Sequence, residues 1–523
     1  MRGLCLILCF AAAASAAVVS RDWGDGKLTL HLDDGTAELE WLSPVAFHFS
    51  RNWSDAVPRV GALAHEKITP TLIDVGSTIT MSTKYLTVDL DRNDLKLHIH
   101  AGETPVTDAT VVRDGDGAEL RIALAAEERV FGLMGGTGPK LNLRGERLER
   151  EHGYFFTSAG YGILVRSPAS CIFDMNRGAI EAHGADFLDF IFYYGPAAKE
   201  ILEQYSSISP RNEVKGDSLD LLSPDRLPKG AAKLPASPVR SWDDFAALIR
   251  TIVNWSLSGL AYPAVDLSIF DGAPAAVRQR AEDLSTLLPI VYRSAGEGGI
   301  DRATRLEWAP YLITYLREAY DRGYPLIRPL PLEFSRDADS DRQADVFMLG
   351  DEVLVAPMAA PGTRRRVELP RGNWTDLRTN IEYPGRQVIE ISAAPGRVPM
   401  FVRNGWIVPL AAKDRMELHY FPSLGAEFFL WEPELEDNSQ FHAAPAGEFL
   451  RVEIESKRAR TYEWVLHHTK MPREVAEQSG AYEEAARREL LRAGTWWHDA
   501  AKNNLHLMLR AEAGSDRIVN ILL

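Results

Sequence analysis

Short runs in which apolar and polar residues alternate constrain the fold of this chain more than any other feature. Such runs, for example Lys27 to Leu32 and Leu95 to His100, recur from about residue 27 to 195 between Gly/Asp turns. Successive side chains of a strand point to opposite faces of a sheet, so each run can bury one face. The pattern predicts an antiparallel β-sandwich over residues 17–205, and short strands with turn signals return beyond Pro329.

A few segments have the spacing of helices instead. They cover residues 197–205, 241–255 and 302–322. Ser241 and Asp244 resemble a capping box for the second helix. In the third, Pro310 is expected to introduce a kink, and Gly323 should end the helix. Residues 206–240 are rich in Pro, Ser, Gly and charge, and are interpreted as a linker.

The first 16 residues have the three parts of a signal peptide. Arg2 precedes an apolar run from Leu4 to Ala14, and Ala14-Ser15-Ala16 supplies a small-residue cleavage site. The protein is therefore expected to be secreted or periplasmic; the alternative is a buried first helix. Two of the three cysteines lie inside this segment, so Cys171 has no internal disulfide partner.

Charge and motif content exclude several classes of function. The chain has 58 Lys and Arg against 73 Asp and Glu, a net charge of −15 that repels nucleic acids but not neutral glycans. The sequence contains no CxxC pair or HExxH run, and we predict no metal site and no cofactor. No apolar run after the signal reaches the ~18 residues that would span a membrane.

A series of motifs in the second half resembles glycoside hydrolase family 31. In order, the segments are 324–330 (YPLIRPL), 332–334 (LEF), 347–351 (FMLGD), 355–357 (VAP), 369–376 (LPRGNWTD) and 398–405 (VPMFVRNG). Upstream, the segments 131–133, 138–139, 142–145, 193–196 and 199–202 resemble the N-terminal sandwich of the family. A weaker match at 427–432 resembles its distal C-terminal module.

The resemblance implies a multidomain α/β plus β protein in which a (β/α) barrel lies between sandwiches. Members of the family are retaining hydrolases of α-glucosides and α-xylosides. The expected order after the signal peptide is an N-terminal β-sandwich, a linker, a partial barrel, a proximal and a distal C-terminal β domain. The boundaries are 17–205, 206–240, 241–325, 326–412 and 413–523.

The barrel is expected to be incomplete. A full (β/α)8 barrel takes ~250 residues, whereas residues 211–325 provide 115. An open sheet would leave unpaired backbone groups on its first strand. Three covers are considered for that edge: the linker, packing of the helices on the sandwiches, or a second copy of the chain in a homodimer.

The residues that perform family chemistry are missing from their expected places. Retaining hydrolysis needs two carboxyl groups, and no nucleophile motif of the family lies between residues 206 and 240. Ser237 occupies the place of the acid/base aspartate, and Ala295 that of a histidine of the family. We therefore predict no catalytic residue, and leave open whether the chain is an enzyme.

Two residues are predicted to contact a sugar: Asp266, at the place of a sugar-binding aspartate, and Arg293. The alternatives are a turn or helix cap for Asp266 and a solvated loop position for Arg293. Asp174, in a run that resembles the nucleophile motif, is assigned to a strand of the N-terminal sandwich.

Three functions remain open. The first is a family 31 homologue with little or no hydrolytic activity, the second a carbohydrate-binding or scaffolding protein. The third is a truncated gene product without a selected role.

Overall fold

The protein is described by a computed structural model, which covers residues 17–54, 63, 65–115, 117–134, 140–151, 153–166, 170–208, 213–214 and 219–523. The predicted signal peptide lies outside the described residues, as do residues 209–212 and 215–218 of the predicted linker. The chain forms two compact units: Met1–Val130 with Leu143–Pro196, and Phe131–Asn142 with Ala197–Leu523.

The first unit is built from antiparallel strands. They are β1 (Val18–Gly24), β2 (Lys27–Leu32), β3 (Gly35–Ser43), β4 (Ala46–Asn52), β5 (Thr71–Val75), β6 (Thr78–Ser82), β7 (Thr87–Asp91), β8 (Leu97–Ala101), β9 (Thr104–Asp114), β10 (Gly117–Ile122), β11 (Val130–Gly132) at the unit boundary, β12 (Arg147–Arg150), β13 (Gly153–Thr157), β14 (Tyr161–Val165), β15 (Cys171–Asp174), β16 (Ala179–Ala182) and β17 (Phe187–Tyr194). One sheet has the order β1-β2-β3-β4-β17-β14-β13, and the other β12-β15-β16-β10-β9-β8-β7-β6-β5. The alternating runs near residues 27 and 95 are strands, as predicted, although the second begins at Leu97.

Aromatic side chains form the core between these sheets. Phe47 of β4 stacks on Phe192 of β17 at 5.2 Å, and Phe49 contacts Phe190 at 5.6 Å between ring centroids. Each pair joins two neighbouring strands, because β4 and β17 are hydrogen-bonded with Phe47 opposite Phe192. Large buried rings supply most of the apolar area that stabilises such a sandwich.

The second unit contains a short parallel sheet with the helices of the chain. The helices are α1 (Ala198–Ile208), α2 (Trp242–Leu257), α3 (Ala275–Ser285), α4 (Arg302–Glu307), α5 (Ala309–Arg322) and α6 (Leu330–Glu333). The parallel strands are β18 (Ala232–Lys233), β19 (Pro263–Asp266) and β20 (Ile290–Tyr292). They lie in the order β18-β19-β20, and Leu222 adds a parallel bridge to Tyr292 on the far side of β20.

The predicted linker is more structured than its composition suggested. It includes the bridge at Leu222, a 3-10 helix at Pro224–Arg226 and strand β18. The main-chain N–H of Leu234 donates to the carbonyl of Ala264 at 3.0 Å, which extends the pairing of β18 with β19. A strand of two residues is too short to show periodicity, so its pairing comes from tertiary contacts.

The predicted helices form, with one difference. Ser241 caps α2 by accepting a hydrogen bond from the main-chain N–H of Asp244 at 3.1 Å. The segment 302–322, expected to be one kinked helix, is two helices separated at Trp308. Pro310 lies in the first turn of α5, where its missing N–H costs little. Gly323, at a φ of 78°, ends α5 in the left-handed conformation.

The rest of the second unit is antiparallel β structure. Its strands are β21 (Ile327–Pro329), β22 (Phe347–Leu349), β23 (Val353–Val355), β24 (Arg364–Leu369), β25 (Asn373–Asp376), β26 (Glu382–Pro384), β27 (Gln387–Ser392), β28 (Met400–Arg403), β29 (Trp406–Ala411), β30 (Met416–Phe421), β31 (Ala426–Glu432), β32 (Asp437–Ala446), β33 (Phe449–Ser456), β34 (Arg460–Leu466), β35 (Glu474–Glu477), β36 (Gly480–Ala481), β37 (Glu483–Glu484), β38 (Thr495–Asp499), β39 (Asn504–Ala511) and β40 (Ser515–Leu522). The sheets have the orders β21-β22-β23-β28-β25-β26, β24-β27, β29-β30-β34-β39-β38-β37 and β31-β32-β33-β40-β35-β36. Trp374 is fully buried between the first two.

A buried ion cluster joins β21 to its neighbours. The guanidinium of Arg328 is 0% exposed and donates to Glu318, to Glu333 at 3.2 Å and to Asp351 at 2.5 Å. Lys199 of α1 adds a second cation, 2.6 Å from Glu333. Burial alone would raise the pKa of Asp351, but Arg328 and Lys199 hold it well below its usual value.

Glu352, next to this cluster, differs from Asp351 in how readily it binds a proton. It is buried, and its carboxyl group accepts hydrogen bonds from the hydroxyls of Tyr311 at 2.5 Å and Tyr315 at 2.6 Å. Burial, followed by the charge of Asp351, raises the pKa of Glu352 to about 8. The pair Asp351 and Glu352 therefore places a charged carboxylate beside one that binds a proton near neutral pH.

Candidate functional site

The two residues predicted to contact a sugar lie at the same end of the parallel sheet. Asp266 is the last residue of β19, and Arg293 directly follows β20. The register places Asp266 opposite Tyr292. Ligands of α/β folds bind outside the carboxyl ends of parallel strands. The fold thus places both residues where a ligand site is expected, and their contact with a sugar stays a prediction.

Asp266 is held firmly by its own loops. Its Oδ1 accepts hydrogen bonds from the main-chain N–H groups of Ser268 at 3.0 Å and Ser294 at 3.1 Å, and its Oδ2 accepts one from the Ser294 hydroxyl. It caps the 3-10 helix Leu267–Phe270. Burial would raise the pKa of Asp266, but the bonds from Ser294 and Ser268 outweigh it and lower the pKa. The cap considered as the alternative role is present.

Arg293 lies inside the loop that follows β20. Its guanidinium donates to Asp271 at 2.7 Å and to the carbonyl of Ala295 at 3.1 Å. Only 15% of the side chain is exposed. A Cβ atom on Gly298 would lie 2.8 Å from the guanidinium, so the loop packs directly against it. The solvated position considered as the alternative does not describe this arginine, which stabilises the loop.

The residues at the expected catalytic places carry no acid. Ser237 is exposed in the segment between β18 and α2, and Ala295 is exposed in the loop after β20. A general acid of a glycosidase needs a raised pKa. The pKa of Asp266 is lowered instead, and Asp271 is paired with Arg293. These two carboxylates are therefore arranged as fixed hydrogen-bond acceptors.

Asp174 lies on strand β15 of the first unit, as predicted. Phe173 pairs with Leu148 of β12 and is buried. Oδ1 of Asp174 accepts hydrogen bonds from the main-chain N–H groups of Asn176 and Arg177, which closes a turn.

Sequence analysis missed the two serines that hold Asp266. Ser268 follows the aspartate by two residues, a spacing typical of a local Asx turn, so this contact had a sequence signal. Ser294 lies 28 residues from Asp266 in the sequence, and no local sequence pattern predicts that contact.

Among the described residues, no group of three or more His, Cys, Asp or Glu side chains is placed to hold a metal ion. Within the same part of the chain, no helix is both long and apolar enough to cross a membrane.

Comparison with known proteins gives the class of fold and then a family to which part of the chain is similar. The structure matches a family 31 dextranase of Flavobacterium johnsoniae, solved with isomaltotriose, with a TM-score of 0.83 at 14% identity over 97% of this chain and 100% of that chain. Residues 323–408 match the family model for the glycosyl hydrolase family 31 C-terminal domain. Residues 323–408 are therefore similar to the C-terminal domain of glycoside hydrolase family 31, and the structure as a whole resembles the fold of the dextranase.

Sequence relatives agree with this assignment. The chain is 33% identical over 162 residues to alpha-glucosidase 2 of Bacillus thermoamyloliquefaciens, and 28% identical over 198 residues to an alpha-glucosidase of Saccharolobus solfataricus. These matches cover 29% and 33% of this chain. They span only 20% and 28% of the relatives' own lengths.

Proposed function

We propose that this chain is a carbohydrate-binding relative of the family 31 glycosidases with little or no hydrolytic activity of its own. The similarity of residues 323–408 to the C-terminal domain of family 31 supports a sugar ligand, and a dextranase of similar fold was solved as a complex with isomaltotriose. The sheet end that carries Asp266 and Arg293 offers an ionised carboxylate beside a guanidinium. Such groups accept and donate hydrogen bonds to sugar hydroxyls.

One observation supports the loss of hydrolysis: Ser237, which the sequence resemblance assigns to the place of the acid/base, is an exposed serine. A serine hydroxyl has a pKa far above neutral and cannot protonate a leaving sugar oxygen as a carboxylic acid does. The nearby carboxylate Asp266 has a lowered pKa, which is opposite to what a general acid needs. Binding without turnover fits this arrangement.

We further propose that β18, β19 and β20 are strands of an incomplete (β/α) barrel. Their parallel order with α2 and α3 as crossovers supports this, and 115 residues are too few for eight strands. A second copy of the chain is one candidate cover for the open sheet. Light scattering over a concentration series distinguishes a dimer, which supports that cover, from a monomer, which rejects it.

Export is part of the proposal and rests on residues 1–16. Expression with the native N-terminus should give a mature protein that begins near Ala17. Intact-mass measurement of the exported fraction checks this, and retention of the full 523 residues in the cell contradicts it.

The decisive experiment measures turnover and binding on the same preparation. We expect no hydrolysis of aryl α-glucosides or α-xylosides above background, together with measurable binding of the same sugars or of isomaltotriose. Ser237→Asp alone should not restore turnover, since the second carboxylate is still missing. Clear turnover by the unmodified protein, abolished by changing one carboxylate, would reveal an unrecognised catalytic site and overturn the proposal.

A further inference from the structure

A second concave surface lies in the second unit, away from Asp266 and Arg293. We name it the α3 groove; it has a volume of about 790 Å³. Its walls are formed by the end of α3, the start of α4, the loops 376–378 and 391–400, and Glu417 with His419 of β30. Leu287 in this wall precedes the amino end of β20, whereas Asp266 and Arg293 lie at carboxyl ends. The volume is in the range of small-molecule sites, ~300–1,000 Å³.

Four charged side chains on these walls have no hydrogen-bond or ion-pair partner among the described residues. Glu282, Glu307, Arg378 and Arg397 line the groove and are exposed. Within the described part of the chain, none of these side chains makes a hydrogen bond or an ion pair. Their charges are of both signs, yet they do not pair with one another.

The other acidic groups of the groove are occupied. Asp301 caps α4 through the N–H and hydroxyl of Thr304, and Asp283 accepts a hydrogen bond from the N–H of Gly396 at 3.0 Å. Glu417 is paired with Arg415 at 3.2 Å and faces His419. Glu307 and Glu417 both line the groove, and partial burial, followed by the charge of Glu417, raises the pKa of Glu307.

The mixture of free groups selects the chemistry of a ligand. Because two carboxylates and two guanidiniums carry no net charge between them, these four groups favour neither an anion nor a cation. A neutral molecule with many hydroxyls can donate to the carboxylates and accept from the guanidiniums at once. The groove also has apolar wall residues that suit the C–H faces of sugar rings, namely Leu287, Ile391, Val398, Pro399, Met400 and Leu410.

We infer that the α3 groove is a second carbohydrate site, which binds an oligosaccharide independently of the Asp266 end. The inference rests on the proposed function only in taking a sugar as the ligand. A glycan bound in the α3 groove lies on a surface separate from the carboxyl end of the parallel sheet.

The test is titration calorimetry of isomaltotriose with the full mature chain. The double variant Glu307→Gln and Arg397→Gln should weaken binding about tenfold or more, because it replaces a charged acceptor and a charged donor by neutral amides. The matched control changes Glu489→Gln and Arg336→Gln, two exposed residues outside the groove, and should leave the affinity unchanged. Thermal unfolding of each variant verifies that the fold is retained.

Hydrogen exchange locates the bound sugar without relying on substitutions. Protection on ligand addition is expected in peptides that cover residues 279–287 and 391–400. Protection confined to residues 266–271 and 293–296, with affinity lost in Arg293→Gln and kept in the groove variant, would overturn the inference and leave the proposed function standing. Failure to bind isomaltotriose, maltotriose and an α-xyloside at millimolar concentration would overturn both.

Discussion

Two arginines in the second unit pair with carboxylates, one in the buried core and the other in a partly exposed loop. Around Arg328, a fully buried guanidinium contacts three carboxylates. Around Arg293, a partly exposed guanidinium contacts the single carboxylate Asp271 and closes a loop. The first group lies in the run that most resembles family 31, and the second lies at the carboxyl end of the parallel sheet.

The difference between the two arginines indicates which part of the structure the motifs that resemble family 31 describe. Arg328, Glu333 and Asp351 belong to the matching motifs, and all three are part of the ion cluster that joins β21, α6 and the turn before β23. Buried charges are tolerated only when they are paired. The motifs that contain these three residues therefore help to stabilise the fold of this region.

The largest effect is expected from Arg328→Met. Removal of the cation takes the shared partner from Glu333, which is buried, and from Glu318 and Asp351, which are partly buried. It should lower the free energy of unfolding by about 3 to 5 kcal/mol. Urea unfolding measures the change. The control Arg302→Met removes an exposed pair with Asp220 and should cost at most roughly 0.5 kcal/mol. Equal effects of both changes would contradict the distinction between the two surroundings.

A smaller effect is expected when the stability of the protein is measured as a function of pH. The pKa of Glu352 is about 8 in the folded protein, against an ordinary value of about 4.5 for a glutamate in the unfolded chain. The folded state binds the proton more tightly, so the contribution of this group is fully present below about pH 4.5 and is lost as the pH rises through 8. Glu352→Gln, which stays neutral, should reduce this decline in stability. Parallel pH profiles for the two proteins would rule out Glu352 as its source.

Asp266→Asn is expected to cost less than Arg328→Met. The amide can still accept hydrogen bonds from Ser268 and Ser294 but no longer carries the charge that they stabilise. A loss of about 0.5 to 2 kcal/mol, typical of a helix cap, should appear in the same unfolding experiment. A loss as large as that for Arg328→Met would show that the Asp266 end is part of the structural core.

Asp174→Asn should have the smallest effect. The side chain closes a turn at the end of β15 through bonds that an asparagine oxygen can also accept. Stability should change by less than about 0.5 kcal/mol, and any residual activity should be unchanged. Loss of activity with an intact fold would move the catalytic assignment to the first unit.

Features with local causes were predictable from the sequence. The strand at residues 27–32, the cap of α2 by Ser241 and the end of α5 at Gly323 each follow from neighbouring residues. The effect of Pro310 was not predicted correctly. A proline can either kink a helix or lie in its first turn, and here it lies in the first turn of a separate helix that follows Trp308.

Features assembled from distant residues were not predictable in this way. The pairing of Lys233 with Ala264 and the contact of Ser294 with Asp266 depend on how separate segments meet. The α3 groove combines residues from Gln279 to His419, and none of its free charges belongs to a motif. The family resemblance located the Asp266 end, but the hydrogen bonds that hold it came only from the structure.

The brevity of β18 has a consequence for how this chain can change over evolution. Among the described residues the strand pairs only with β19, over Ala232 and Lys233, so its other edge presents few backbone groups to a passing chain. Very short edge strands and a lysine at the edge both discourage aggregation. Insertions or deletions beside this edge therefore carry little risk of creating a surface that pairs with other chains.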